Sequence, residues 1–424
     1  MSALAKGSRA FRHRNYRLFF SGQLVSLIGT WMQQVAQSWL VLQLTGDPFL
    51  LGLVAAMQFL PVMILGLFGG LIADALPKRR TLMATQAVQM VLAFVLFGLS
   101  ATHTVEVWHI LVLAALLGIT NAVDMPTRQA FVVEMVGRGD VANAVALNSA
   151  TFNIARIVGP AVAGLVIGAF DISVAFLVNG ISFLAVIAGY GLMREDELAT
   201  PPVLDRPRTA RAVVSTLAEG LRYVRGTGLV LLATTVVGLV SLFGMNFTTI
   251  IPALARDVLH SDAAGYGFLM AASGIGSLAA ALSIAFSGRS SASVIVGGAL
   301  LLGLGEIAAA TVHVFPLAML AMAFVGVGAI AMSASANTLV QLAVPNELRG
   351  RVMSVYTTVF VGSTPIGGLL MGGIASRFGV DVSLAAGGIA CAGLGIIGFW
   401  WLRRIRVPAS VRLAADPATR SPAA

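Results

Sequence analysis

Three ionisable side chains, Asp124, Arg156 and Glu306, stand inside apolar runs long enough to cross a bilayer. A charge in hydrocarbon is expensive, so such residues bind, carry a proton or pair with one another. Asp124 lies 15 residues before a polar turn near Gly139 and Arg156 lies 17 after it. At about 1.5 Å of helix per residue the two sit at similar depth. The spacing predicts an Asp124–Arg156 ion pair, with Glu134 as the second choice of partner for Arg156. A local reading of Asp124 is also open, in which it caps the kink at Pro126 and bonds with Arg128 four residues along. Glu306, in "LLGLGEIAAATV", is the acid deep in the second half of the chain. Burial disfavours a carboxylate, so a carboxyl there suits proton uptake and release. Snorkelling or a bond between helices is the alternative.

A second set is uncharged. Gln33, Gln34 and Gln37 stand beside Trp31 and Trp39, Asn337 and Gln341 are spaced at i and i+4, and Asn246 lies in another apolar run. Amides with aromatics suit a cavity for ligands of mixed polar and aromatic character. They also bond helix to helix. His13, His103, His109, His260 and His313 show no metal-ligand spacing, and a single cysteine, Cys391, forms neither an intramolecular disulfide nor a thiolate cluster. No metal and no cofactor are expected. Lys6 and Lys78 are the lysines of the chain and neither belongs to a P-loop, so it holds no nucleotide-driven motor. No clustered nucleophile and base suggests an embedded enzyme.

Membrane helices must position these groups. Of 424 residues 58% are hydrophobic and 11% charged, with a mean hydropathy of +0.90. Crossing the hydrocarbon takes about 20 apolar residues. Twelve stretches qualify, near 18–43, 49–73, 81–101, 107–134, 143–170, 173–193, 228–251, 264–287, 293–313, 315–341, 352–376 and 382–402. An even number puts both termini on one side. If that side is the cytoplasm, nearly all of the 27 Lys and Arg face inward, with Arg256 and Arg377 outside and Arg156 in the membrane. The net charge of +9 then belongs to cytoplasmic loops rather than to a nucleic-acid partner. The basic start precedes an apolar run, Gln23 to Leu44, too long for a signal peptide and read as a retained first span.

The longest polar interruption, from Arg194 to Gly228, divides six spans from six. The expected organisation is a six-helix bundle over 1–193, a cytoplasmic linker over 194–227, a second bundle over 228–403 and a disordered cytoplasmic tail over 404–424. Within the linker, "AVVSTLAEGLRYV" has helical amphipathic spacing suited to a membrane surface. The halves echo each other: "LGLVAAMQ" with "YGFLMAAS", "GRGDVANAV" with "VPNELRGRV", and "IVGPAVAGLVIG" with "GSTPIGGLLMGG", in the same order. A duplicated six-span unit with parallel halves is a transporter layout.

The loop after span two, "GGLIADALPKRR", resembles the loop signature of the major facilitator superfamily, Gly-x-Leu-Ala-Asp-Arg-x-Gly-Arg-Arg. Gly70, Ile72, Ala73, Asp74, Lys78 and Arg79 match it, and Ala75 and Pro77 depart from it. The resemblance implies that Asp74 helps lock helix ends in one state of a transport cycle. In span five, "ARIVGPAVAG" resembles the antiporter motif of the same superfamily. Gly159, Pro160 and Gly164 match, while Ala155 and Ala163 replace glycines. Small residues let another helix approach closely, and proline removes a backbone hydrogen bond. The first half as a whole is similar to the bacterial branch containing enterobactin-exporter-type siderophore exporters and macrolide or multidrug efflux proteins.

The resemblance implies an all-α membrane protein, twelve transmembrane helices in two pseudo-symmetric six-helix bundles. It further implies a secondary active transporter of the bacterial cytoplasmic membrane, exporting a small organic molecule of drug or siderophore type in exchange for protons. Its expected partners are that substrate, protons and the lipid bilayer, and its expected state is a monomer. A proton-coupled uptake permease is the alternative. A channel is disfavoured, because it would want pore rings from several chains.

Overall fold

In the computed structural model of the chain, residues 8–199, 210–287 and 291–405 are described, with the side chains of 67–75, 210–214, 216 and 287 left outside. Among the described residues every extended element is a helix, and 10 helices are long and apolar enough to cross a bilayer. Two particulars bring these to twelve spans. Val107–Ala169 contains 63 residues, roughly 95 Å if straight, about three hydrocarbon thicknesses. It is broken at Gly137, with φ 65° and ψ 171°, a conformation open in practice to glycine alone. Spans four (107–136) and five (138–169) are thus joined across one residue. The other particular is Arg14–Thr45, 32 residues long. Its five glutamines, Gln23, Gln33, Gln34, Gln37 and Gln43, dilute its hydropathy without shortening it.

Span one is Arg14–Thr45, two Pro48–Ala75, three Lys78–Ala101 and six Ile172–Gly191. Span seven is discontinuous: Gly228–Phe243, a break, Phe247–Ala253 and a π-turn over Leu254–Val258. Spans eight to twelve are Ala263–Ser287, Ala292–Thr311, Phe315–Ala343, Asn346–Phe378 and Val380–Leu402. The amphipathic stretch of the linker forms the helix Ala210–Gly226. Its Tyr223 hydroxyl donates to the Ala343 carbonyl at 3.2 Å, and its Glu219 pairs with Arg351 at the start of span eleven. Residues 200–209 and 406–424, parts of the expected linker and tail, lie outside the described residues.

The chain forms two compact units. The first contains spans one and three to six, most of span two, and Ser261–Ala271 at the opening of span eight. The second contains Asp47–Gly52 at the opening of span two, span seven and the remaining spans. In the first unit, the start of span one is anchored by polar bonds. Tyr16 Oη donates to the Ala144 carbonyl at 3.0 Å, and Asn15 exchanges two bonds with the Arg194 backbone at 2.8 and 3.0 Å. Around them Phe19, Leu82, Phe131, Met135 and Tyr190 form a buried cluster.

The echoed glycine-proline segments do the same work in each unit. In the first, a Cβ added at Gly164 of span five would lie 2.7 Å from Ala264 Cα, and Gly267 abuts the Pro160 carbonyl. In the second, a Cβ at Gly372 of span eleven would lie 2.7 Å from the Pro48 carbonyl, and Gly52 abuts Gly368. Backbones meet where side chains are missing, as small residues in membrane helices allow.

Candidate functional site

Asp124 is 1% exposed. Its Oδ1 accepts from Thr85 Oγ1 at 2.7 Å and from Gln86 Nε2 at 2.9 Å, both on span three. Its Oδ2 lies 3.3 Å from the Arg128 guanidinium, one turn along the same helix. Arg128 also donates to Gln23 Oε1 of span one at 3.3 Å. The expected Asp124–Arg156 pair is therefore not formed, and Glu134 is not the partner of Arg156 either, since it pairs with Lys78. Equal depth brings residues to one level, but the helix face decides the partner, and span four presents Asp124 to span three. The local reading with Arg128 is the arrangement found, extended by the hydroxyl and amide of span three. Arg156 is half-buried and meets no hydrogen-bond or ion-pair partner among the described residues.

In the loop after span two, Lys78 Nζ pairs with Glu134 at 2.7 Å, both side chains 11% exposed. Arg79 donates to the carbonyls of Tyr190 and Gly191 at 2.7 and 2.8 Å and to Glu195 Oε1 at 2.7 Å. A cation on the last carbonyls of span six meets both its unsatisfied acceptors and its dipole. Gly70 and Asp74 fall within 67–75, whose side-chain surroundings lie outside the described residues. Removing one partner of a shielded pair strands the other charge. Lys78→Ala is expected to destabilise the protein by about 2 kcal/mol, and Lys78→Glu with Glu134→Lys to recover most of this. Thermal unfolding of the purified chain checks both; equal losses in the single and swapped variants would refute the pairing.

Gly159 of span five faces span one so closely that a Cβ would lie 2.5 Å from Trp31 Cβ and 2.9 Å from the Ile28 carbonyl. The Trp31 ring meets Phe152 edge-on at 5.6 Å. Trp31 thus packs span one on span five, and does not line the amide cavity for which the sequence suggested it.

That cavity lies in the first unit and has a volume of about 80 Å³. Span one contributes Gln33, Gln34 and Gln37; Gln58, Gln89, Asn121 and Asn179 come from spans two, three, four and six. Asn179 Nδ2 donates to Gln33 Oε1 at 2.6 Å and Gln89 Nε2 to Asn121 Oδ1 at 3.3 Å. Thr30, four leucines, Leu92, Leu96, Leu113 and Leu117, and Phe183 complete the wall. The amides of the other spans were missed in the sequence because each stands alone there. The signal available was one carboxamide per span, in run after run of apolar residues.

Asn337 and Gln341 do not join a described cavity. They bond to each other at 2.5 Å near the end of span ten, with Gln341 exposed.

The second unit places Glu306 and Asn246 on one small cavity at the break in span seven. Asn246 is 5% exposed; its Nδ2 donates to the Leu242 carbonyl at 2.8 Å, which fixes the amide orientation, and its Oδ1 meets no donor among the described residues. Glu306 is 2% exposed and its Oε2 likewise meets no donor. A Cβ on Gly244 would lie 2.7 Å from Cys391 Sγ and 3.2 Å from Glu306 Oε1, so the break closes over the carboxyl only because residue 244 is glycine. The remaining wall is apolar, with Phe243, Phe247, Ile250, Met322, Val325 and Met371.

The comparisons agree with this architecture. The family described as "Transmembrane secretion effector" matches residues 5–423. The staphyloferrin A transporter of Staphylococcus aureus is 24% identical over 402 residues, covering 92% of this chain and 97% of that protein. The multidrug efflux pump Tap of Mycolicibacterium fortuitum is 28% identical over 411 residues, covering 94% and 98%. A solved POT family transporter in complex with a thioalcohol conjugated peptide superposes with a TM-score of 0.75 at 11% identity, covering 93% of this chain and 97% of that one. With the paired glycine-proline spans and the twelve-helix frame already in place, these full-length likenesses leave one assignment: the chain belongs to the transmembrane secretion effector family of the major facilitator superfamily, and is a multi-pass membrane transporter of small molecules.

Proposed function

We infer that the chain exports a small organic molecule, drug-like or siderophore-like, across the bacterial cytoplasmic membrane in exchange for protons, as a monomer with both termini in the cytoplasm. The observation that carries the coupling is Glu306, a carboxyl in a mostly apolar cavity at the break of span seven, with an oxygen that meets no donor among the described residues. A neutral carboxyl is tolerated by such walls and a carboxylate is not, unless a partner or water reaches it. Loading and unloading a proton there favours different arrangements of spans seven, nine and twelve, which is the requirement for coupling proton flow to alternating access. The outward direction is supported by the efflux pump among the relatives and by the likeness of Gly159, Pro160 and Gly164 to the antiporter motif.

Cells expressing the chain are expected to accumulate less of a fluorescent dye such as ethidium, and collapsing the proton gradient to abolish the difference. In proteoliposomes, Glu306→Gln should lower gradient-driven transport by at least about tenfold, equivalent to about 1.4 kcal/mol, while exchange of dye at equal pH on both sides persists. Full gradient-driven flux in Glu306→Gln would remove this residue from the mechanism.

A further inference from the structure

The amide cavity of the first unit is built for one kind of occupant. None of its 13 lining residues is ionisable. An anion taken from water into a membrane bundle needs an arginine or lysine, and a cation needs a carboxylate, or the desolvation cost goes unmet. A carboxamide instead offers a donor pair and an acceptor together. Two amide pairs on the wall, Asn179 with Gln33 and Gln89 with Asn121, are already engaged with each other. Gln34, Gln37 and Gln58 line the same cavity and their amides bond to no other protein group among the described residues. Facing them are leucines and Phe183. The half-burial of Gln33, Gln34, Gln58 and Asn121 means that the cavity is not sealed.

Volume narrows the class further. About 80 Å³ is far below the roughly 300 Å³ at which whole drug-sized ligands are enclosed, and it equals the share of two or three waters in the liquid. We propose that this cavity is a binding subsite for an uncharged amide- or hydroxyl-bearing group with a short apolar flank, either a small molecule of that kind or one arm of a larger substrate. Gln34, Gln37 and Gln58 exchange donor and acceptor bonds with the polar end, and the leucines and Phe183 cover the flank. Selectivity for the neutral group follows from a wall whose own side chains carry no charge to compensate an ionised one. The proposal rests on the reading of the chain as a carrier of organic molecules, and adds the chemistry of what it grips.

Three isosteric probes separate the alternatives: propionamide, propionate and propionamidinium, the same size with no charge, a negative and a positive one. Binding is measured by saturation-transfer NMR on the full chain in phosphatidylcholine nanodiscs, with empty nanodiscs subtracted. Propionamide is expected to bind saturably and the two ions not to. In Gln34→Leu with Gln37→Leu, the loss of two neutral hydrogen bonds should weaken propionamide about tenfold, and Gln34→Asn with Gln37→Asn should weaken it less. If the leucine variant is not monodisperse, Gln58→Leu, on another span, is read in its place, with about threefold expected. Equal binding of all three probes, no saturable propionamide binding, or unchanged binding in the leucine variant each overturns the proposal. No gradient enters this measurement, so its outcome is independent of whether Glu306 couples transport to protons.

Discussion

Gly159→Val and Gly164→Val are each expected to lower export by at least about tenfold at an unchanged membrane level, because forcing volume into a backbone contact costs about 1–3 kcal/mol. At Gly159 the nearest atoms are Trp31 Cβ and the Ile28 carbonyl; at Gly164 they are Ala264 Cα and the carbonyls beside it. None of these is the far end of a flexible side chain, so no rotamer change relieves the contact and the helices must separate. Trp31→Ala keeps the Cβ that obstructs and should not rescue a substituted Gly159, whereas Trp31→Gly should rescue it in part. Gly168 in the same span has nothing within 4 Å of its Cβ position, so Gly168→Ala should transport normally. Dye efflux normalised to protein in the membrane checks the series, and normal efflux by Gly159→Val would show that spans one and five need not touch during transport.

The second large effect concerns Asp124. Arg128→Ala leaves a carboxyl at 1% exposure with, among the described residues, only Thr85 and Gln86 to satisfy it, and stranding a buried charge costs about 3 kcal/mol. Asp124→Asn should be milder, because an amide oxygen still accepts from Thr85 and Gln86, and Arg128, 26% exposed, can turn to water. Adding Asp124→Asn to Arg128→Ala should therefore recover stability rather than lose more. Unfolding of the purified variants in a denaturing detergent titration gives the order. A double variant less stable than Arg128→Ala would show that Arg128 does not act through Asp124.

Depth and type were legible in the sequence, and azimuth was not. Glu306 is buried in the second unit as its apolar run implied, and the glycine-proline segment of span five is the close contact that small residues suggest. Counting from the turn places Asp124 and Arg156 at one level in the membrane but does not fix the face of either helix. Only the fold shows that Asp124 faces Thr85 and Gln86. The amide cavity failed to register for a related reason. Gln89, Asn121 and Asn179 are single polar residues in separate runs, and their convergence is tertiary. The break at Gly244–Asn246 left no trace because "LFGMNFTT" carries no charge and its one amide, Asn246, sits within a long apolar run, so hydropathy sees one span where the backbone forms two helices.

The pairing of Asp124 with Arg128 inside one helix also matters during synthesis. Span four must leave the translocon and enter lipid, and a lone aspartate near the middle of a helix opposes that step by about 2.5–3.5 kcal/mol. A partner one turn away on the same helix travels with it, so the charge is met before spans five and six have been made. Span three, which supplies Thr85 and Gln86, precedes span four in the chain and is already waiting. Every partner of Asp124 among the described residues is thus at hand when it enters the bilayer, whereas a pairing with Arg156 would have left it exposed to lipid until span five emerged. The order of the chain and the choice of partner agree: Thr85, Gln86 and Arg128 all precede span five.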